Sequence, residues 1–247
     1  MNTLFLTSRI DYYNTNADGS LSPKQIANTN NLIDNLKQYI KRFNNMLCIA
    51  SDPNNHEYNE MKSKILFKSF DLTLPFAEYN VLDSRNLHKS KSLIRKANLI
   101  ILMGGHVPTQ NRFFEQINLA ELLETNNNKV IIGISAGSMN SASAVYCPPE
   151  IDGETFNGNF HRILKGLRLT EYNIIPHHKD TKKLEVDGIN VYNNYILPDS
   201  HNINLFALED GSYILQTTRS VQLFGEAYLI RNGKATLICK NNQVQEI

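Results

Sequence analysis

The sequence has no tryptophan and only three cysteines, Cys48, Cys147 and Cys239, in 247 residues. The three thiols lie far apart, lack the spacing of a metal site, and are odd in number, which argues against a disulfide framework. No window approaches the roughly 18 consecutive apolar residues that a membrane span needs. The opening stretch MNTLFLTSRIDYYN has a short apolar run without a basic start, so we predict no secretory signal and a cytoplasmic location.

The sequence also lacks an excess of charge of one sign, because it has 25 basic and 24 acidic residues. A net charge of +1 gives no reason to expect a nucleic acid or an anionic membrane as partner. The apolar fraction of 41% is enough for a sizeable core. At 247 residues the chain could form one large α/β domain or two small ones, and because no Pro/Gly-rich linker divides it we expect a single domain over residues 1–247. A homodimer is compatible with the sequence.

Strand-like and helix-like segments alternate along the first 140 residues. TLFLT, NMLCIAS, EYNVLD, NLIILMGG and KVIIGIS are short apolar runs, and segments with helical periodicity such as Pro23–Phe43, Asn59–Phe70 and Gln110–Glu124 separate them. Strands joined by helical crossovers are parallel, and runs without alternation indicate burial on both faces. The sequence thus predicts an α/β fold with a mostly parallel sheet covered by helices on both faces.

After Ile174 the pattern changes to short strand-like pieces with Gly, Asn and Asp turns between them, including NLFALED, SYILQT and GEAYLIRNG. We interpret these pieces as the closing strands of the same domain, with an antiparallel edge.

The segment Gly133-Ile134-Ser135-Ala136-Gly137 ends a buried strand and fits the G-x-S-x-G nucleophile elbow. In such a turn the serine projects above the carboxyl end of the sheet, and small neighbours allow close backbone approach. A helix following Ser135 would direct its first amides, that of Ala136 included, at a developing oxyanion. A turn in which small residues only serve helix packing remains the alternative for this pentapeptide.

Gly104-Gly105 ends the neighbouring strand-like run LIILM. Two glycines leave their backbone amides accessible, so Gly105 is a candidate for the second oxyanion donor.

A nucleophilic serine needs a base and a group that orients the base. Of the seven histidines, His177 follows the strand-like YNIIP and is expected, like Ser135, just past the end of a strand. Glu150, Asp152 and Glu154 lie between the serine and this histidine, and the residues alone do not rank these three acids.

The segments LMGGHVPTQN, GISAGSMN, YCPPE and IIPHH, in this order, resemble the serine peptidase family of dipeptidase E and cyanophycinase, especially its peptidase E-like branch of Gram-positive bacteria. The resemblance extends from about Leu99 to the end of the chain. It implies a class I glutamine amidotransferase-like fold in which serine replaces the catalytic cysteine, and hydrolysis of small peptides without cofactor or metal, with Asp-containing dipeptides as one candidate class.

The resemblance also implies the site residues. It assigns Ser135 as nucleophile, His177 as base, and Glu150, fifteen residues past the serine, as the triad acid in preference to Asp152. Gly105 and Ala136 would form the oxyanion hole. The family's asparagine after the glycine pair is replaced by His106, so His106, Thr109 and Gln110 are expected to line a different substrate pocket.

Two other functions fit parts of the pattern. The order Ser–Glu–His also occurs in α/β-hydrolase esterases, although their histidine usually comes later than 42 residues past the serine. An amidotransferase-like domain that has lost its chemistry could serve as a binding module, but a complete Ser/Glu/His set argues against that loss.

Overall fold

The computed structural model describes residues 2–247. The described residues form the following strands: β1 (Thr3–Thr7), β2 (Tyr13–Thr15), β3 (Leu21–Pro23), β4 (Asn45–Ile49), β5 (Glu78–Leu82), β6 (Leu99–Leu102), β7 (Val130–Ile134), β8 (Ala144–Tyr146), β9 (Ile163–Lys165), β10 (Asn173–Ile175), β11 (Glu185–Val186), β12 (Ile189–Asn190), β13 (Leu205–Leu208), β14 (Tyr213–Gln216), β15 (Val221–Phe224), β16 (Ala227–Arg231), β17 (Lys234–Cys239) and β18 (Val244–Glu246).

Helices cover the segments between many of these strands. The α-helices are α1 (Leu32–Tyr39), α2 (His56–Asp71), α3 (Ser90–Lys96), α4 (Val107–Gln116), α5 (Leu119–Thr125), α6 (Ala136–Met139), α7 (His178–Thr181) and α8 (Leu197–Asp199). None of the helices within residues 2–247 is long and apolar enough to cross a membrane.

The main sheet has the strand order β18-β15-β14-β1-β7-β6-β4-β5. The five strands from β1 to β5 in this order pair in parallel, whereas β14, β15 and β18 pair antiparallel and form one edge. The expectation of a mostly parallel, helix-covered sheet with an antiparallel edge is confirmed.

Alternate residues of the central strands enter two different apolar clusters. Phe5, Cys48 and Ile101 pack with the α1 and α2 side of the sheet. Leu6 and Leu102 pack with α3, α4 and α5 on the other side. Since successive strand side chains point to opposite faces, α2 and α4 cover opposite faces of this sheet.

A second sheet has the order β10-β13-β16-β17, in which β10 and β13 are parallel and the other pairs antiparallel. Residues of this sheet, such as Ile174 and Leu208, share an apolar cluster with Leu6 and Leu102 of the main sheet. The closing strands are therefore divided between two sheets, a separation that the sequence pattern did not predict.

Two predicted helices are shorter than expected. In the segment Pro23–Phe43 only Leu32–Tyr39 is α-helical, because Asn30 and Asn31 adopt left-handed backbone angles and the Asn30 side chain donates to the Gly211 carbonyl. The predicted helix Gln110–Glu124 is divided at Asn118, whose φ of 51° breaks it into α4 and α5. The helix after Ser135 is also brief, at four residues.

Candidate active site

Ser135 stands between β7 and α6 with φ of 51° and ψ of −111°, a strained conformation for a residue with a side chain. Its N–H donates to the Thr7 carbonyl at 3.0 Å. A Cβ on Gly133 would lie 2.6 Å from the Ser138 nitrogen, and one on Gly137 would collide with the Leu102 carbonyl. The two glycines of the pentapeptide are thus required by close backbone contacts, as expected for a nucleophile elbow.

His177 follows β10 and places its Nε2 atom 3.2 Å from the Ser135 Oγ. The residue adopts a left-handed backbone, with φ of 52° and ψ of 43°, directly before α7. Its N–H donates to the Ser8 Oγ at 2.8 Å. The serine and histidine expected from the sequence are therefore within hydrogen-bonding distance of each other.

The carboxylate beside His177 belongs to Asp210. Its Oδ1 lies 2.6 Å from the His177 Nδ1. Strands β10 and β13 pair in parallel with Ile175 opposite Ala207, so the residues that follow the two strands meet at one edge of the second sheet. This arrangement corrects the sequence-based assignment of Glu150, whose carboxylate accepts instead from the Val107 N–H at 3.1 Å.

Two neighbours hold the Asp210 carboxylate. The Ser8 hydroxyl donates to Oδ1 at 2.9 Å, and the Arg9 guanidinium lies 3.6 Å from Oδ2. Burial by itself would raise the pKa of Asp210, but the hydrogen bonds and charges of His177, Ser8 and Arg9 outweigh it and lower the pKa. Asp210 is therefore ionised at neutral pH and is placed to accept a hydrogen bond from the His177 Nδ1–H, which favours the tautomer whose Nε2 lone pair faces Ser135.

The backbone amides of Ala136 and Gly105 are the candidate oxyanion donors, and Gly105 lines the same cavity as Ser135. Ala136 is the first residue of α6, so its N–H has no partner within the helix. The N–H of Gly105 donates to no group in residues 2–247. A side chain at Gly105 would collide with the Ser51 side chain, and one at Gly104 would come 3.3 Å from the Ser135 Cβ. The Gly-Gly turn therefore brings bare backbone close to the serine.

Glu150 and Glu154 belong to the loop after β8 and lie against the start of α4. Both carboxylate oxygens of Glu154 have partners. Its Oε1 lies 2.8 Å from the His106 Nε2, and its Oε2 accepts from the N–H groups of Glu150 and Ile151. Burial, reinforced by the charge of Glu154, raises the pKa of Glu150 to about 7 although the Val107 N–H opposes this rise. Glu150 Oε1 has no hydrogen-bond partner within residues 2–247.

The three residues expected to line a substrate pocket have other partners. The His106 Nδ1 lies 2.8 Å from the Thr109 Oγ1, and its Nε2 pairs with Glu154. Gln110 is fully buried and bonds to the Met103 carbonyl and the Asn140 side chain, which corrects its assignment to a pocket. The rival acid Asp152 forms no hydrogen bond with His177 within residues 2–247, and its carboxylate accepts instead from the Asp187 N–H.

A cavity of about 270 Å³ opens beside the serine. Its wall holds Ser135, His177 and the glycine pair, two cations and three tyrosines: Arg9, Lys62, Tyr12, Tyr13 and Tyr58. Larger cavities of about 440, 510 and 540 Å³ lie near α5, β9 and α8, but none of the three is lined by Ser135 or His177. The smaller cavity is therefore the candidate substrate cleft.

The Lys62 ammonium lies 4.6 Å from the centroid of the Tyr13 ring and 5.8 Å from that of Tyr58. Within residues 2–247 it forms no ion pair with a carboxylate. Lys62 thus presents an uncompensated positive charge to the cleft.

The three cysteines are free and buried. Burial raises the pKa of the Cys48 and Cys147 thiols, which keeps them in the unreactive protonated form. Residues 2–247 contain no group of three or more His, Cys, Asp or Glu side chains placed to hold a metal ion. Because the buried thiols are held in the unreactive protonated form, Ser135 is the candidate nucleophile at the end of β7.

The model of peptidase family S51 matches residues 50–224. The chain belongs to peptidase family S51. It is a serine-type peptidase, as the resemblance of its motifs implied. The match includes Ser135, His177 and Asp210.

Solved structures of low sequence identity share the fold. A peptidase from an acI-B1 Actinobacterium superimposes with a TM-score of 0.69 at 14% identity, over 100% of this chain and 97% of that one. A candidate peptidase E from Listeria monocytogenes EGD-e gives a TM-score of 0.60 at 15% identity, over 90% of this chain and 96% of that one. No curated protein matched the sequence significantly.

Sequence reasoning missed Asp210, Ser8 and Arg9. Asp210 follows the strand-like NLFAL, a signal of the same kind that selected His177. Ser8 and Arg9 follow TLFLT in the same way. The missing information was the pairing of β10 with β13, which brings two distant strand ends together.

Proposed function

We propose that this peptidase hydrolyses small peptides, dipeptides above all, with Ser135 as nucleophile, His177 as general base and Asp210 as the acid that orients His177. The single observation that carries the proposal is the continuous contact from Ser135 Oγ through the His177 ring to Asp210 Oδ1, at 3.2 and 2.6 Å. A base that is itself oriented by a third group is the arrangement that activates a serine.

The reaction follows from these positions. The Ser135 Oγ attacks the peptide carbonyl while the His177 Nε2 accepts its proton, and the N–H groups of Gly105 and Ala136 donate to the resulting oxyanion. His177 then protonates the leaving amine, and the amine departs from the acyl-enzyme. A water molecule, deprotonated by His177, hydrolyses the ester and restores the serine.

The cleft favours a small substrate with a negative group. A volume of about 270 Å³ lies just below the usual range of ligand pockets, about 300–1,000 Å³. Lys62 and Arg9 would bind a substrate carboxylate, either the carboxyl terminus or an acidic side chain such as that of aspartate. Burial of that carboxylate beside the tyrosines would strengthen the ion pair.

Glu150 would bind the free amino terminus of the peptide. Its carboxyl lies beside the first turn of α4, over the face of the sheet opposite to α2 and Lys62. An ammonium group at the unpartnered Oε1 would offset the burial, and to a smaller degree the repulsion from Glu154, that raise the pKa of Glu150 and favour its protonated carboxyl. A zwitterionic dipeptide laid across Ser135 would then meet a charge of opposite sign at each end.

A hydrolysis screen over a dipeptide library, with Ser135→Ala as blank, tests the proposed function. We expect release of amino acids from a subset of free dipeptides by the wild type only, and rapid labelling of Ser135 by a fluorophosphonate probe. Hydrolysis by Ser135→Ala at the wild-type rate, or a wild type that neither cleaves a dipeptide nor reacts with the probe, would contradict the proposal.

The contribution of Glu150 is tested by comparing each cleaved dipeptide with its N-acetylated form. Glu150→Gln should raise KM for the free dipeptide by about tenfold, the loss expected for one charged contact of about 1.4 kcal/mol. It should leave the poor cleavage of the acetylated form unchanged. Equal losses on both forms would rule out recognition of the amino terminus by Glu150.

A further inference from the structure

A second His–carboxylate pair lies directly beside the first. His178 and Glu209 are the chain neighbours of His177 and Asp210, and the His178 Nδ1 lies 3.2 Å from the Glu209 Oε1. His178 has no exposed surface, whereas the His177 side chain is 33% exposed. Both pairs bridge the same two segments, which follow the parallel strands β10 and β13.

His178 is held on all sides. Its Nε2 lies 3.3 Å from the Tyr192 hydroxyl, and its ring centroid lies 4.5 Å from that of Tyr228. Burial, and to a smaller degree the charge of Lys182, lowers the pKa of His178 to about 4, so the ring is neutral at physiological pH. A neutral ring that donates from Nδ1 to Glu209 accepts at Nε2 from the Tyr192 hydroxyl, and this satisfies both nitrogens.

Glu209 makes a second contact between the same two segments. Its Oε2 accepts from the Lys179 N–H at 3.3 Å, while its Oε1 faces His178. Its backbone N–H donates to the Glu226 carbonyl of the loop that leads into β16. One carboxylate therefore fixes the start of α7 relative to the end of β13.

The backbone of His177 explains why such fixation matters. A left-handed conformation in a residue other than glycine is unfavourable, and it persists only where the surroundings enforce it. On the amino-terminal side the His177 N–H is held by Ser8. On the carboxyl-terminal side the next side chain is His178, which the contacts to Glu209 and Tyr192 immobilise.

We propose that the His178–Glu209 pair is a positioning pair, which holds His177 in its left-handed conformation and so keeps the His177 Nε2 in reach of the Ser135 Oγ. The inference rests on the proposed function of Ser135 and His177. Neither His178 nor Glu209 touches the substrate. The pair acts on the reaction rate through the geometry of its neighbours alone.

The rate of Ser135 labelling by a fluorophosphonate probe tests this role without a known substrate. His178→Phe fills the buried site but lacks the hydrogen bond to Glu209, whereas His178→Asn retains a donor near the Nδ1 position. We expect His178→Phe to reduce the maximal labelling rate by about 10–100-fold with little change in the half-saturating probe concentration. His178→Asn should recover most of the rate, and the exposed control His88→Phe should match the wild type.

A crystal structure of His178→Phe gives a second readout that does not depend on the reaction. We expect His177 to leave its left-handed angles and its Nε2 to move beyond 3.2 Å from the Ser135 Oγ. If His178→Phe does not fold, Glu209→Ala takes its place in both experiments with the same expected results. Wild-type labelling rates, or an unmoved His177, in the variant would overturn the positioning role, whereas an unreactive wild type would overturn the proposed function instead.

Discussion

Asp210 meets the imidazole of His177 at 2.6 Å although 33 residues separate the two in the chain. The contact exists because β10 and β13 lie side by side in parallel, which places the ends of both strands at one edge. Ser8, at the end of β1, closes the arrangement by donating to Asp210 and accepting from the His177 backbone. Three strand ends from two sheets thus position one histidine.

The first prediction concerns the serine and the histidine together. Ser135→Ala and His177→Ala should each lower kcat by several orders of magnitude, because each removes a part without which the other cannot act. The double variant should lose little beyond either single one. Steady-state kinetics on a cleaved dipeptide measures this, and multiplicative losses in the double variant would show that the two side chains work independently.

The second prediction concerns the cation in the cleft. Lys62→Met keeps the length and apolar stem of the side chain but removes its charge, so KM for peptides with an acidic side chain should rise by about tenfold, while kcat changes less. Lys64→Met, at an exposed position of the same helix, is the matched control. If both variants behave alike, Lys62 does not contact the substrate.

The third prediction concerns the elbow. A Cβ on Gly137 would collide with the Leu102 carbonyl, so Gly137→Ala should destabilise the protein by about 1–3 kcal/mol and displace Ser135. Gly158→Ala is the control, because its Cβ would meet no atom within 4 Å. Thermal unfolding and the labelling rate of Ser135 measure both effects. Equal behaviour of the two variants would contradict the close approach of α6 to β6.

The fourth prediction follows from the pKa of Glu150. Its folded-state value of about 7 lies above the ordinary value of 4.5, so its contribution to stability is full below about pH 4.5 and is lost as the pH rises to about 7. Glu150→Gln should therefore gain stability relative to the wild type over this range, by about 1.4 kcal/mol per pH unit at most. Denaturant unfolding at several pH values measures the difference, and a difference that is constant with pH would argue against the raised pKa.

The apolar runs and the pentapeptide around Ser135 were sufficient to predict the parallel sheet and the elbow, because both depend on short stretches of chain. His177 was selected because it follows a strand-like segment and matches a motif of the resembled family, although its strand β10 lies in the second sheet and not beside β7. The acid was not predictable in the same way. Glu150 has the expected spacing from Ser135, but the loop after β8 turns toward α4, where Glu150 accepts from the Val107 N–H. The carboxylate that contacts His177 is that of Asp210. Likewise, the helical periodicity of Pro23–Phe43 did not reveal that the helix begins only after Asn30 and Asn31, which adopt left-handed backbone angles.

The identity of the triad acid is the central claim, and kcat at saturating dipeptide for Asp210→Asn and Glu150→Gln tests it most directly. Asp210→Asn should lower kcat by about 10³–10⁴-fold, because an amide no longer enforces the reactive tautomer of His177. Glu150→Gln should retain kcat to within about tenfold, because its main effect should be a higher KM. A Glu150→Gln variant that loses kcat by three orders of magnitude, beside an Asp210→Asn variant near the wild-type rate, would contradict the account.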